Sequence, residues 1–208
     1  MTYLLVAFLV VIVVPLLTAS WRISLLGLAL QGVLMAAMVG QRGWPHDLGG
    51  AVLLADLLVL RGWFIPRHLR RIMDHLGVGR RNDVIPANLL SWTLAGAAVL
   101  VAFRFAGHVL PGEGDRTLLA AVAAAALLLG LLILGTQVTT FSQITGVLRV
   151  EYAIALFELG GAHEPGLPVQ LGLTVVLLLS VLTLGRFLRK LGASGDGSGV
   201  GALEGGAR

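Results

Sequence analysis

The chain has 208 residues, of which 57% are hydrophobic and only 12% are charged, and its mean hydropathy is +0.91. Because a soluble domain carries about 25% charged residues, this composition excludes an ordinary water-soluble enzyme and a largely disordered chain, and indicates a polytopic membrane protein. The net charge of +4 is typical of basic cytoplasmic loops rather than of a nucleic-acid partner, and the absence of cysteine excludes disulfides, iron–sulfur clusters and thiolate zinc sites within this chain.

Seven apolar segments are each long enough to cross a bilayer, which takes about 20 residues. They cover residues 2–19, 23–40, 48–65, 88–109, 117–136, 140–160 and 168–187. We therefore expect an all-α transmembrane domain over residues 1–190, located in the cell membrane. Residues 191–208 are rich in glycine and small polar residues, which predicts a flexible tail.

Basic residues lie at alternate ends of these spans. Loop 66–87 contains five arginines, and Arg186, Arg189 and Lys190 follow the last span. Cytoplasmic loops are enriched in Lys and Arg. With seven spans, both clusters are cytoplasmic, so we expect the N-terminus outside and the C-terminus in the cytoplasm.

The longest loop contains an amphipathic pattern. Leu69, Ile72, Met73 and Leu76 recur at helical spacing, which predicts a short helix at about 67–76 on the membrane surface. Such a helix serves either as an anchor among lipid headgroups or as a docking surface for a cytoplasmic partner.

Charged residues near the middle of the spans are the strongest candidates for function, since each costs roughly 2.5–3.5 kcal/mol to insert. Residues two apart on a helix point about 200° apart, so Arg149 is expected to pair with Asp56 of another helix rather than with Glu151. Glu151 and Glu158 are seven apart and share a face. These acids, with Asp56, form either a proton path or part of a structural ion pair that fixes helix register.

Other polar residues have weaker signals. Gln31, Gln143 and Gln170 are neutral and lie in or near spans, whereas Arg61 lies near the cytoplasmic end of the third span, where a long side chain can extend to the interface. The sequence has no HExxH motif, glycine-rich phosphate loop or Ser–His–Asp set at one membrane depth. We therefore expect no active site, cofactor site or metal site in this chain.

Several segments resemble the hydrogenase-4 component E family. The stretch from Gln143 to Leu156 resembles its Q-x-x-G-x-L-x-x-E-N-G-I-x-L segment, and residues 169–173 resemble its E-L-G-V-L ending. Residues 29–32 match its A-L-Q-G, and residues 61–66 resemble its K-A-x-x-I-P. The resemblance covers about residues 20–190 and depends on the order and spacing of these short motifs.

The resemblance implies a membrane-arm subunit of a group 4 hydrogenase or related complex I-like assembly, similar to the small K subunit of complex I. Its expected partners are antiporter-like and quinone-site-like membrane subunits, together with a soluble redox arm that holds the iron–sulfur and metal centres. Redox energy would then drive proton or sodium movement. In that family, the buried acid matching Glu151 is the candidate proton-path carboxylate.

The sequence departs from the family pattern at four positions. Arg61 replaces a lysine, Tyr152 an asparagine, and Gln170 and Val176 two acids. Because arginine does not readily deprotonate and two titratable positions are absent, two alternatives remain open. Besides the ion-pump subunit that the resemblance implies, these are a structural assembly subunit without an ion path and a stand-alone secondary transporter, although the sequence lacks the evident repeats of many transporters.

Overall fold

The computed structural model describes residues 1–17, 20–43, 48–76, 89–112, 114–136, 140–160 and 167–195. These residues form seven helical rods, which confirms the predicted all-α fold. Six of the rods are α1 (Thr2–Leu17), α2 (Trp21–Arg42), α5 (Leu89–Val109), α6 (Asp115–Thr136), α7 (Thr140–Leu159) and α8 (Leu167–Gly195).

The third rod in chain order has three parts. An α-helical start, α3 (Leu48–Ala55), leads into a π-helical segment, Asp56–Phe64, and then into α4 (Ile65–Leu76) without a break. The π segment places the fifth residue, rather than the fourth, above each position.

Five of the helices are long and apolar enough to cross a membrane, which indicates a multi-pass membrane protein. These stretches are Trp21–Gln41, Leu48–His75, Trp92–Val109, Asp115–Thr136 and Leu167–Lys190. The apolar stretch in α1, Thr2–Val14, is shorter, and α7 contains three charged residues. Seven transmembrane passages and the orientation of the chain remain predictions.

Large apolar side chains cover the outer faces of these helices. Leu100 and Phe105 of α5 and Val176 and Leu179 of α8 are about 60% exposed. A soluble monomer rarely exposes apolar surface on this scale, so these faces are suited to contact with lipid.

Small residues allow the inner helices to approach closely. A Cβ atom added at Gly130 of α6 would lie 3.0 Å from Val150, and one added at Gly146 of α7 would lie 3.1 Å from Leu134. Close backbone approach at small residues is a common basis for helix association in lipid. The contacts fix α7 against α6 and thereby position the charged residues of α7.

Two segments that the sequence analysis placed outside the spans, the start of loop 66–87 and the start of the C-terminal tail, are helical in the structure. Residues 65–76 are helical and continue the preceding rod, and Leu69, Ile72 and Met73 are buried within the protein. Whether this helix lies at the membrane surface remains a prediction, and the rest of the expected loop, residues 77–88, lies outside the described residues. Helix α8 extends to Gly195, so it includes the start of the expected tail, while residues 196–208 lie outside the description.

A buried charged cluster as the candidate functional site

The π-helical segment brings two charged residues of one helix together. Arg61 follows Asp56 by five residues, and in an α-helix such positions point about 140° apart. In the π segment, they share a face, and Arg61 Nε donates to Asp56 Oδ2 over 2.8 Å. Both residues are buried, with 5% and 7% of their surfaces exposed. The local helix geometry therefore forms a buried ion pair that α-helical geometry would not allow.

The other edge of the same guanidinium binds a second carboxylate from α7. Arg61 Nη1 donates to Glu151 Oε2 over 2.6 Å, and Nη2 donates to Glu151 Oε1 over 2.7 Å. This two-pronged geometry is the strong form of an arginine–carboxylate contact. The Glu151 side chain is 33% exposed, against 6% for Asp56. Arg61 thus links a buried acid to a more accessible one on another helix.

Tyr152 completes the surroundings of Arg61. Its ring lies 5.2 Å from the guanidinium carbon, which is a cation–π distance, and its hydroxyl donates to the Arg61 carbonyl over 2.9 Å. In the π register, that carbonyl would accept from residue 66, but Pro66 has no N–H group. Tyr152 therefore supplies a donor that the helix itself lacks at this point.

Helix α2 closes the cluster on another side through glycine. A Cβ atom added at Gly32 would lie 2.7 Å from the Gly62 nitrogen and 2.8 Å from the Leu57 carbonyl oxygen. Both neighbours are backbone atoms, which cannot move aside as a flexible side chain can. Gly32 thus allows α2 to lie directly against the π segment.

The cluster has more acidic than basic groups. Two carboxylates surround one arginine, which stays protonated, so the three groups carry one negative charge when both carboxylates are ionised. Asp56 Oδ1 is also buried and has no hydrogen-bond partner among the described residues. Such an atom calls for a physical reason, and an oxygen of this kind can accept a proton, a water molecule or a small cation.

The structure does not bring Arg149 to Asp56 as the sequence interpretation expected. Arg149 is fully buried, and its guanidinium donates to the Ile12 carbonyl over 3.1 Å and to the Ser24 hydroxyl over 3.1 Å. Asp56 pairs with Arg61 instead, because the π turn places Arg61 on the same face of its own helix. Arg149 therefore joins α7 to α1 and α2.

The remaining predicted polar residues are either buried between helices or exposed on the surface. Glu158 and Gln143 are exposed on α7, whereas Gln31 is buried in α2, where neither of its amide atoms has a described hydrogen-bond partner. Gln170 is buried against α3. With its amide oriented to satisfy both neighbours, it donates to the Gly49 carbonyl at 3.2 Å and accepts from the Leu53 N–H at 2.9 Å.

Sequence reasoning missed two features of this site. Arg61 binds Glu151 within the cluster instead of extending to the interface, and Tyr152, which the sequence marks only as a departure from a family pattern, binds the Arg61 carbonyl. Their common signal is Pro66, five residues after Arg61, which removes the donor that a π turn would give to the Arg61 carbonyl.

Within the described ranges, no three His, Cys, Asp or Glu side chains come together as ligands of a metal ion.

Comparisons with models of protein families, with curated proteins and with solved structures found no match to this chain.

Proposed function

We propose that the chain is a membrane-arm subunit of a complex I-like or group 4 hydrogenase-like pump that uses redox energy to move protons or sodium ions. The observation that supports this most is the Asp56–Arg61–Glu151 cluster, in which two carboxylates share one guanidinium. Charged residues retained within membrane helices are usually paired and usually mark ion or proton paths.

The charge of the cluster suggests how it would act. Binding one proton or one sodium ion neutralises the net negative charge, which a low-dielectric interior favours. Glu151 is the more exposed acid and would exchange the cation with its surroundings, while Asp56 would receive it on the buried side. Arg61 keeps its own proton and would act by holding both acids within reach.

Glu158 would extend this path along α7. It is exposed, and it lies seven residues after Glu151, a separation of about 10 Å along a helix. A side chain at this distance does not hand over a proton directly, so water would have to connect the two acids. The path would run from Glu158 through Glu151 to Asp56.

A structural assembly subunit is the second candidate function, and the satisfaction of Arg61 favours it. Three of its five N–H donors bind carboxylates, and Tyr152 covers its face. Gln170, at a position where the family has an acid, binds the backbone of α3 as both donor and acceptor, which an ionised acid cannot do. On this alternative, the cluster only fixes helix register.

The partners are tested by mild detergent extraction of the tagged chain from its native membrane, followed by identification of the proteins that co-purify. We expect antiporter-like and quinone-site-like membrane subunits together with iron–sulfur proteins. A chain that purifies alone and supports substrate uptake in liposomes would instead indicate a secondary transporter.

The proposed topology has seven spans, with the N-terminus outside and the C-terminus in the cytoplasm. Since the chain has no cysteine, single cysteines report their location directly. Asp74→Cys and Asp115→Cys form a matched pair, because both aspartates are exposed. In intact cells, an impermeant thiol reagent should label position 115 and not position 74. The reverse pattern would overturn the orientation.

A further inference from the structure

An open groove lies between the start of α2 and the junction of the π segment with α4. Its cavity volume is about 340 Å³. Leu25, Leu26 and Ala29 of α2 form its apolar wall, with Gly62 and Pro66 opposite. Ten of the described residues line it, and the charged ones among them are all arginines.

Three guanidinium groups converge on this groove. Arg22, Arg67 and Arg70 line it and are exposed. Arg70 is paired with Asp74 at 3.8 Å, whereas neither Arg22 nor Arg67 forms an ion pair with a described residue. The groove therefore presents a concentrated positive charge beside an apolar surface.

Two tryptophans hold the guanidinium groups in place. The Arg22 guanidinium lies 5.3 Å from the Trp21 ring centre, and that of Arg67 lies 5.4 Å from the Trp63 ring centre. Stacking uses the faces of the guanidinium planes and leaves N–H groups at their edges to donate. Tryptophan next to arginine is also typical of the membrane–water interface.

The lengths of the helices favour a position of the groove at the level of the headgroups. The apolar stretch of α2 begins at Trp21, inside the groove, and Leu48–His75 has 28 residues. The 19 α-helical residues of that stretch alone extend about 28 Å, and the π-helical segment adds to this, so the rod is longer than the roughly 30 Å hydrocarbon core of a bilayer. The arginine-rich end at residues 67–70 therefore reaches into the polar layer.

We propose that this groove binds one anionic phospholipid, with its phosphate between Arg22 and Arg67 and the upper part of an acyl chain along Leu25 and Leu26. The charge of the groove selects an anion, and its apolar wall favours a lipid over a free phosphate ion. Basic pockets between membrane helices are a known way to hold such headgroups. The site is independent of the ion path proposed above.

The test uses the full chain in phosphatidylcholine nanodiscs that contain a minor fraction of phosphatidylglycerol with a brominated acyl chain. Bromine quenches nearby tryptophan, so a lipid in the groove should quench Trp21 and Trp63 saturably. Brominated phosphatidylcholine is the reference lipid. The wild type should prefer phosphatidylglycerol, and the preference should weaken as salt is raised.

The variant Arg22→Gln/Arg67→Gln should lose about 30-fold in this preference, since each basic contact near an anionic surface contributes about a factor of five. The matched control, Arg71→Gln/Arg186→Gln, removes the same charge at exposed positions outside the groove and should keep the wild-type preference.

Three outcomes would overturn the proposal. The first is a wild type without a preference for phosphatidylglycerol, which can be established without any variant. The second is an equal loss of preference in both double variants, which would indicate only a general charge effect. The third is displacement of the lipid by inorganic phosphate as effectively as by unlabelled phosphatidylglycerol, which would indicate a free-anion site.

Discussion

Among the described residues, two arginine side chains are buried, and their surroundings differ. Arg61 binds two carboxylates, from its own helix and from α7. Arg149, on α7, donates to a carbonyl of α1 and to the hydroxyl of Ser24 on α2. The first arrangement contains acids that can take up and release a cation, whereas these contacts of the second are with neutral oxygens. One helix thus contributes both to a candidate ion site and to a junction between helices.

Removal of Arg61 should have the largest effect. In Arg61→Met, Asp56 and Glu151 lose their shared cation, and breaking a buried ion pair costs about 3–5 kcal/mol. We expect a large fall in thermal stability and in the yield of monodisperse protein in detergent. The triple variant Arg61→Met/Asp56→Asn/Glu151→Gln has no buried charge in this cluster and should recover much of the loss. An Arg61→Met protein as stable as the wild type would show that the two carboxylates do not depend on Arg61 for stability.

Removal of Arg149 should cost less. Arg149→Met removes hydrogen bonds from a charged donor, but the Ile12 and Ser24 acceptors left behind are neutral, whereas Arg61→Met leaves two carboxylates without their cation. The melting temperature in the same detergent should fall less than for Arg61→Met. A larger fall would mean that Arg149 contributes more to stability than Arg61 does, contrary to this expectation.

The close approach of α2 to the π segment should stabilise the surroundings of Arg61. Gly32→Ala inserts a methyl group at 2.7 Å from the Gly62 nitrogen, and overpacking of this kind costs about 1–3 kcal/mol. Gly40→Ala on the same helix is the control, since a Cβ atom there meets nothing within 4 Å. Thermal unfolding of both variants should show a loss for Gly32→Ala alone. Equal stability would mean that α2 does not support the π segment.

The smallest expected effect concerns Tyr152. Tyr152→Phe keeps the ring beneath Arg61 but removes the hydroxyl that donates to the Arg61 carbonyl. A hydrogen bond of this type contributes about 1 kcal/mol, so the melting temperature should fall modestly. Tyr3→Phe is the comparison at an exposed position, where the hydroxyl accepts from the Gln41 amide at the surface and should contribute less. If both variants unfold at the same temperature, Tyr152 does not compensate for Pro66.

The sequence was sufficient to predict the helical architecture, because apolar runs of about 20 residues are typical of helices that cross a bilayer. It also identified Asp56 and Glu151 as acids that are costly near the middle of a span. It did not identify their partner, since a period of 3.6 residues places Asp56 and Arg61 on different faces. The π turn brings the two residues onto one face of the helix, and the only sign of this turn in the local sequence is Pro66. From the sequence alone, a long side chain near a helix end, such as that of Arg61, is expected to extend to the interface.

The most direct test of the account is Glu151→Gln in the complete native assembly. Glutamine keeps the size of the side chain and one oxygen that can accept from Arg61, and Arg61 keeps its ion pair with Asp56. The amide, however, cannot take up or release a proton as the Glu151 carboxylate can. We expect the complex to assemble with its full subunit content while fewer ions move per electron transferred in proteoliposomes. Asp115→Asn, a change at an exposed position, should leave both quantities unchanged. Failure to assemble would assign Glu151 a structural role instead, and full ion transport by an intact Glu151→Gln complex would contradict the proposed path.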